Sequence, residues 1–208
     1  MATNRSRMSG VQRKAAIVDA AVDLFSQRGF RGTTTRELAA KVGVTEPVLY
    51  QHFSTKRALY NAILEAKTGE DRSCVLADLE AVAARGGLVE FFLGLAGLLL
   101  DWYLNDPRYA RMLLFSRLED DEMSHLFYEN HVLVFYEFLT RVLRRMMDDG
   151  HIRKMDPLVA ARAFAGMVSH QGVVYAVYKP GELPATREEL LRTIVDIFIN
   201  GMVADEKQ

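Results

Sequence analysis

Between Thr33 and Arg57 the chain reads TTTRELAAKVGVTEPVLYQHFSTKR, a run of hydroxyls, an amide, an imidazole and cations spaced to hold a polyanion. Lys56 and Arg57 fall in the first turn of a helix whose start is marked by Ser54 or Thr55. Cations there oppose the helix dipole, a cost of about 0.3–1 kcal/mol each. A phosphate at the same helix start reverses the sign, because N–H groups, dipole and cation all favour an anion. The plain alternative is a solvated charge pair. Leu49 and Phe53 sit four apart and can face a core, which leaves Tyr50 and His52 outward. An outward Tyr in so short a helix can donate to a phosphate; for His52 an ordinary surface position serves equally well.

Two short helices must position these groups. Thr34 lies three residues before Glu37, the spacing of a capping box. Leu38, Ala39 and Val42 recur at helical spacing, and Gly43 supplies the stop, since glycine adopts positive φ without steric penalty. Thr45 can cap the next helix, and Pro47 is tolerated in its first turn. A helix, a short turn with Gly and a second helix make the helix-turn-helix layout for reading the DNA major groove.

The charge pattern agrees. The whole chain of 208 residues is nearly neutral, with 26 basic and 27 acidic side chains. Residues 1–60 hold ten basic and four acidic groups, a net of +6, which leaves −7 for residues 61–208. A basic head on an acidic body suits a protein that places its N-terminal part on a polyanion. Half of the residues are apolar and a quarter charged, an ordinary globular composition. The single Cys74 cannot form an internal disulfide, which fits a reducing compartment. MATNRSRMSG lacks the apolar core of a signal peptide, and the uncharged run Phe91–Leu100 is too short to span a bilayer. A cytoplasmic protein with no membrane association is expected.

The rest reads as helix, so the predicted fold is all-α. Ile17, Ala20, Ala21, Leu24 and Phe25 form one apolar stripe ended by Gly29, a first helix that completes a three-helix head. Further helices are predicted near 55–84 (with a break about Gly69), 88–105, 107–119, 121–149, 157–178 and 186–204. Within them, VVYAVY at 173–178 suits a strand equally well. The predicted organisation is a disordered basic arm at 1–10, a DNA-binding head at 11–54 and a helical body at 55–208.

These residues resemble the tetracycline-repressor (TetR) family of bacterial transcription regulators. The likeness runs from Arg13 to Leu59: the amphipathic first helix, Gly29-Phe30, Gly32-Thr33-Thr34, Arg36-Glu37-Leu38-Ala39, Gly43-Val44-Thr45 and Leu49-Tyr50-x-His52-Phe53-x-x-Lys56-x-x-Leu59. It implies phosphate contacts from Thr33, Thr34, Tyr50, His52 and Lys56. It also implies that Thr45, Glu46, Pro47 and Gln51 meet base edges. Pro47 can offer only apolar contact, so Gln51 is the better hydrogen-bonding reader. The family further implies a helical C-terminal bundle that dimerises and encloses a small-molecule pocket.

The body's own residues bear on both points. Leu190, Leu191, Ile194, Val195, Ile197, Phe198, Ile199 and Met202 make the last helix apolar on more than one face, so it needs two partners. Ala160, Ala161, Ala163, Ala165, Gly166 and Gly172 allow close approach along 157–178. Two such helices from each subunit suit a four-helix homodimer interface. Trp102, Met112, Phe115, Phe135 and Met167, with His170 and Gln171 of the polar trio Ser169-His170-Gln171 that interrupts an apolar helix, are the candidate lining for a small hydrophobic effector. His170 and Gln171 serve equally well as partners across a dimer interface. His125, His131 and His151 lack metal-ligand spacing, and no P-loop, GxSxG, HExxH or CxxC is present, so neither metal, cofactor nor catalysis is expected. The expected function is a DNA-binding regulator, a repressor that binds an inverted-repeat operator as a dimer. An effector then moves the heads out of register; a hundred-fold release needs about 2.7 kcal/mol of coupling. The competing readings are a non-inducible DNA-binding module controlled by a protein partner or by abundance, and an enzyme acting on its ligand.

Overall fold

A computed structural model describes residues 9–68, 71–85, 87–119 and 122–201, and among them every regular element is helical. In chain order the helices are α1 (Gly10–Arg28), α2 (Thr35–Val42), α3 (Glu46–His52), α4 (Lys56–Thr68), α5 (Asp71–Ala84) and α6 (Leu88–Asn105). There follow α7 (Pro107–Leu118), α8 (Glu122–Phe127), α9 (Val134–Asp148), α10 (Pro157–Val173) and α11 (Arg187–Asn200). Two π-helical stretches, Tyr128–Leu133 and Val174–Tyr178, precede α9 and follow α10. The chain divides into two compact units, one gathering residues up to Gly69 with Arg111–His125, the other Glu70–Ala110 with the chain from Leu126 onward.

In the first unit α1 carries the predicted stripe, with Ile17, Ala20, Ala21, Leu24 and Phe25 buried. α2 and α4 pack against α1, and α3 packs against α2. Phe25, Phe30 and Tyr60 meet at ring separations of 5.5–5.8 Å, joined by Leu38, Leu49, Phe53, Leu59 and Ile63. Two boundaries differ from expectation. Ser9 caps α1 in a reciprocal pair with Gln12, so Ser9 and Gly10 belong to the helix start; the remainder of the predicted arm, residues 1–8, lies outside the described residues. The head also does not stop at residue 54, because α4 buries Leu59, Tyr60 and Ile63 and a distant stretch, 111–125, joins the same unit.

The second unit is built on α6, whose Phe91, Phe92, Leu95, Ala96 and Leu100 are fully buried. α5, α10 and α11 pack on it, and α9 packs on α10. Phe92, Phe164 and Phe198 form a ring triad at 4.9–5.1 Å. α6 is long and apolar enough to cross a membrane by composition, while Phe91, Phe92, Leu95, Ala96 and Leu100 on its inner side belong to this core. Arg187, at the start of α11, reaches Asp101 of α6 with two hydrogen bonds of 2.7 Å. That bidentate pairing raises the Arg187 pKa above its ordinary value. The predicted 55–84 helix is two helices, and residues 69–70 at the expected break lie outside the described residues, as do 202–204 of the last predicted helix. The ambiguous 173–178 stretch continues α10 as a π-helix, with Lys179 N–H donating to Val174 O at 2.8 Å.

Candidate nucleic-acid interface

The start of α2 is fixed by its own side chains. Thr34 Oγ1 accepts from Glu37 N–H at 3.2 Å and donates to the Glu37 carboxylate at 2.9 Å, and that carboxylate also accepts from Thr34 N–H at 2.8 Å. Arg28 adds an ion pair to Glu37 at 2.8 Å. These bonds, with the Thr34 backbone and hydroxyl first and the Arg28 charge after them, hold the Glu37 carboxyl below its ordinary range. The Thr34 hydroxyl is therefore exposed but already donating.

Thr33 is different. It is 1% exposed, and its hydroxyl donates to Gly29 O at 3.0 Å. Its side chain closes the turn between α1 and α2. Lys56 is also turned inward. Its ammonium donates to Phe30 O at 2.5 Å and Thr33 O at 2.8 Å and stands 4.1 Å above the Phe30 ring. Thr55 caps α4, accepting from Ala58 N–H at 2.9 Å. Two carbonyls and an aromatic face therefore surround the cation at this helix start.

α3 presents a different surface. Leu49 and Phe53 are buried, while Thr45, Pro47, Tyr50 and Gln51 are exposed, Tyr50 at 46%. Pro47 and Gln51 are one turn apart on the side away from Leu49. His52 is half-buried at the helix end. The Glu46 carboxylate accepts from Thr35 Oγ1 at 2.7 Å, with Tyr50 OH 3.4 Å from that same hydroxyl. This clasp joins α2 to α3 and sets the angle at which the outer face of α3 is offered. Among the head's cations, Arg28 and Lys41 are paired with Glu37 and Asp23. Arg36 is exposed in the first turn of α2, two residues after the Thr34 cap, and that position beside the turn is the sequence signal for it.

A family model described as bacterial regulatory proteins, tetR family, matches residues 17–63, and one described as AefR-like transcriptional repressor, C-terminal domain, matches residues 107–201. The chain belongs to the TetR family. The family is one of transcriptional regulators. The tetracycline repressor protein class A from transposon 1721 of Escherichia coli is 46% identical over 57 residues, 27% of this chain and 26% of that protein. The chain thus spans about a quarter of the length of the tetracycline repressors it matches. The HTH-type transcriptional repressor KstR2 of Rhodococcus jostii is 24% identical over 203 residues, 92% of each chain. Crystal structures of AibR share the fold: the apo form has a TM-score of 0.68 at 24% identity, covering 89% of this chain and 97% of that one. A complex of AibR with isovaleryl coenzyme A and operator DNA gives 0.61 at 22%, with the same coverage.

The seven candidate effector residues divide between the two units. Met112 and Phe115 fall in the unit that contains the head, and the other five in the helical body. Phe135 is buried in the body core, and Met167 packs against that core half-buried. His170 is exposed and Gln171 half-buried. Ser169, half-buried like Gln171, hydrogen-bonds to Tyr103. Burial pushes the Tyr103 phenol up, partly offset by that bond. Tyr103 stands edge-on to Trp102 at 4.9 Å, its ring against Gly172, where a Cβ would overlap it. Phe127 stacks 6.1 Å from Trp102 and 5.0 Å from His131. Ser169 and Tyr103 were legible only as a Ser beside His170 and a Tyr on an apolar helix.

Proposed function

We propose that the chain is a transcriptional repressor that binds an inverted-repeat operator as a homodimer and is released by a small hydrophobic effector. The observation that carries DNA reading is the outer face of α3. Pro47 and Gln51 stand exposed one turn apart, oriented by the Thr35–Glu46–Tyr50 clasp, within residues 1–60 of net charge +6. Gln51 reads a base edge, Pro47 and Thr45 add contact beside it, and Arg36, Tyr50, His52 and Arg57 meet phosphates. Lys56 and Thr34 act by holding the backbone that carries them.

Support for a dimer is the bare face of α10 and α11. Val159 is 65% exposed and Ile197 58%, with Ala163 and His170 also exposed and nothing within 4 Å of a Cβ placed on Gly166. Two small heads on such a dimer suit half-sites about one helical turn apart. Support for an effector is the aromatic group of Trp102, Tyr103 and Phe127, with Ser169 on Tyr103, together with the AibR complex that holds both isovaleryl coenzyme A and operator DNA. In this reading the protein works in the cytoplasm and turns nothing over.

The test is selection of a random-sequence duplex pool by the purified protein at near-physiological salt. An inverted repeat among the retained sequences is expected. Retention that vanishes with salt and shares no sequence would reduce the activity to non-specific phosphate binding and overturn the proposal.

A further inference from the structure

The turn between α1 and α2 is held from two directions. Gly29 has a φ of +73°, and a Cβ built there would fall within the Glu119 carboxylate, so this position needs glycine for both backbone and space. Glu119 Oε2 accepts from Arg31 N–H at 3.2 Å, across 88 residues of sequence. From the other direction Lys56 takes the carbonyls of Phe30 and Thr33, and Thr33 closes on Gly29 O. Thr34, the cap of α2, follows at once.

Glu119 is firmly carried. Its own N–H continues the helical pattern of α7, donating to Phe115 O at 2.9 Å. Met112 and Ser116, four residues apart and seven and three before Glu119, are both buried, so the three share the inner side of α7. An acid beside a basic, phosphate-seeking head opposes DNA unless it serves the head's geometry.

We propose that Glu119 is a positioning residue for DNA binding: its carboxylate, delivered by the end of α7, holds the Gly29–Thr33 turn and thereby fixes where α2 begins. The proposal rests on the DNA-binding reading above. It makes α7 a part of the reading head and gives any movement of α7 a direct route to α2.

The experiment compares the full-length wild type with Glu119→Ala, Glu119→Gln and, as a control on the neighbouring exposed side chain, Leu118→Ala. Amide hydrogen exchange across residues 29–34 is followed without DNA. Affinity is measured for the duplex selected by the wild type and for a scrambled duplex of equal length. Glu119→Ala is expected to speed exchange at Arg31 and weaken the selected duplex by about ten-fold each, the size of one charge-assisted hydrogen bond. Scrambled DNA is expected to bind as before. Glu119→Gln, which keeps an acceptor oxygen, and Leu118→Ala are expected to stay near the wild type. Unchanged exchange at Arg31 in Glu119→Ala overturns the proposal. So does tighter binding of both duplexes by both Glu119 variants, since the acid would then act only through its charge. If the wild type selects no sequence, the DNA reading fails instead, and exchange at Arg31 still reports on the turn by itself.

Discussion

Gln51, exposed on the outer face of α3, carries a side-chain amide whose donor and acceptor can pair two groups on one base edge. Gln51→Ala is expected to cost about 1–3 kcal/mol on the preferred duplex and to relax base preference at one position per half-site. Repeating the selection with the variant checks it; a uniform loss over all sequences would make Gln51 a phosphate contact. Lys56 belongs to stability first. Removing its ammonium strands the carbonyls of Phe30 and Thr33, so Lys56→Met is expected to destabilise the protein by about 1–3 kcal/mol in urea unfolding. Loss of DNA affinity at unchanged stability would return Lys56 to the phosphate role. Glu37 provides a pH test. Its folded pKa lies below the ordinary value of 4.5, so the capping box stabilises fully above that pH and fades as pH falls through the folded value. The advantage of the wild type over Glu37→Gln should shrink in that acid window and stay level above it. An advantage flat through the acid range would show that the carboxylate charge is not what matters. The box itself was legible in the sequence because it is local, three residues from cap to partner. The inward turn of Thr33 and Lys56 was not, because their partners, Gly29, Phe30 and Thr33 carbonyls, become neighbours only once the turn between α1 and α2 has folded.

At the scale of elements, α10 and α11 carry the dimer prediction. Ile197 of α11 is a large apolar side chain left 58% exposed, and a Cβ on Gly166 of α10 would meet nothing within 4 Å. Ile197→Glu is expected to give monomers by sedimentation, with the helix content kept, and to weaken duplex binding steeply, since each head would bind alone. A variant that remains dimeric would move the interface elsewhere. Helix starts were readable here wherever a cap or Pro announces them: Thr186 with Glu189, Asp156 before Pro157 and Pro107 each begin a helix as expected. The π-helical stretch at 174–178 was not readable, because β-branched and aromatic residues describe a half-buried surface and leave the backbone pitch to tertiary packing. His170 and Gln171 show the same limit in smaller form. The polar trio was visible, but its phase about the α10 axis, with Ser169 half-buried and His170 exposed, depends on which side meets Tyr103.

At the scale of the whole molecule, the sequence separates a basic head from an acidic body, and charge alone puts the border near residue 60. The fold draws it otherwise, because the head unit is assembled from two stretches of chain, up to Gly69 and again at Arg111–His125. Nothing local to residues 111–125 announces this, since Glu119 meets Arg31 only in the folded chain. The consequence reaches protein engineering. A DNA-reading head made this way is not an exchangeable cassette. A chimera that takes a relative's residues up to the equivalent of position 54 keeps a foreign α4 and α7 beneath the graft. It is expected to fold with a loosened head and to select its operator poorly. A chimera that exchanges the stretch up to Gly69 together with Arg111–His125 should recover the donor's selectivity. Equal selectivity from both, measured by the same random-pool selection, would show that α1 to α3 carry their specificity alone.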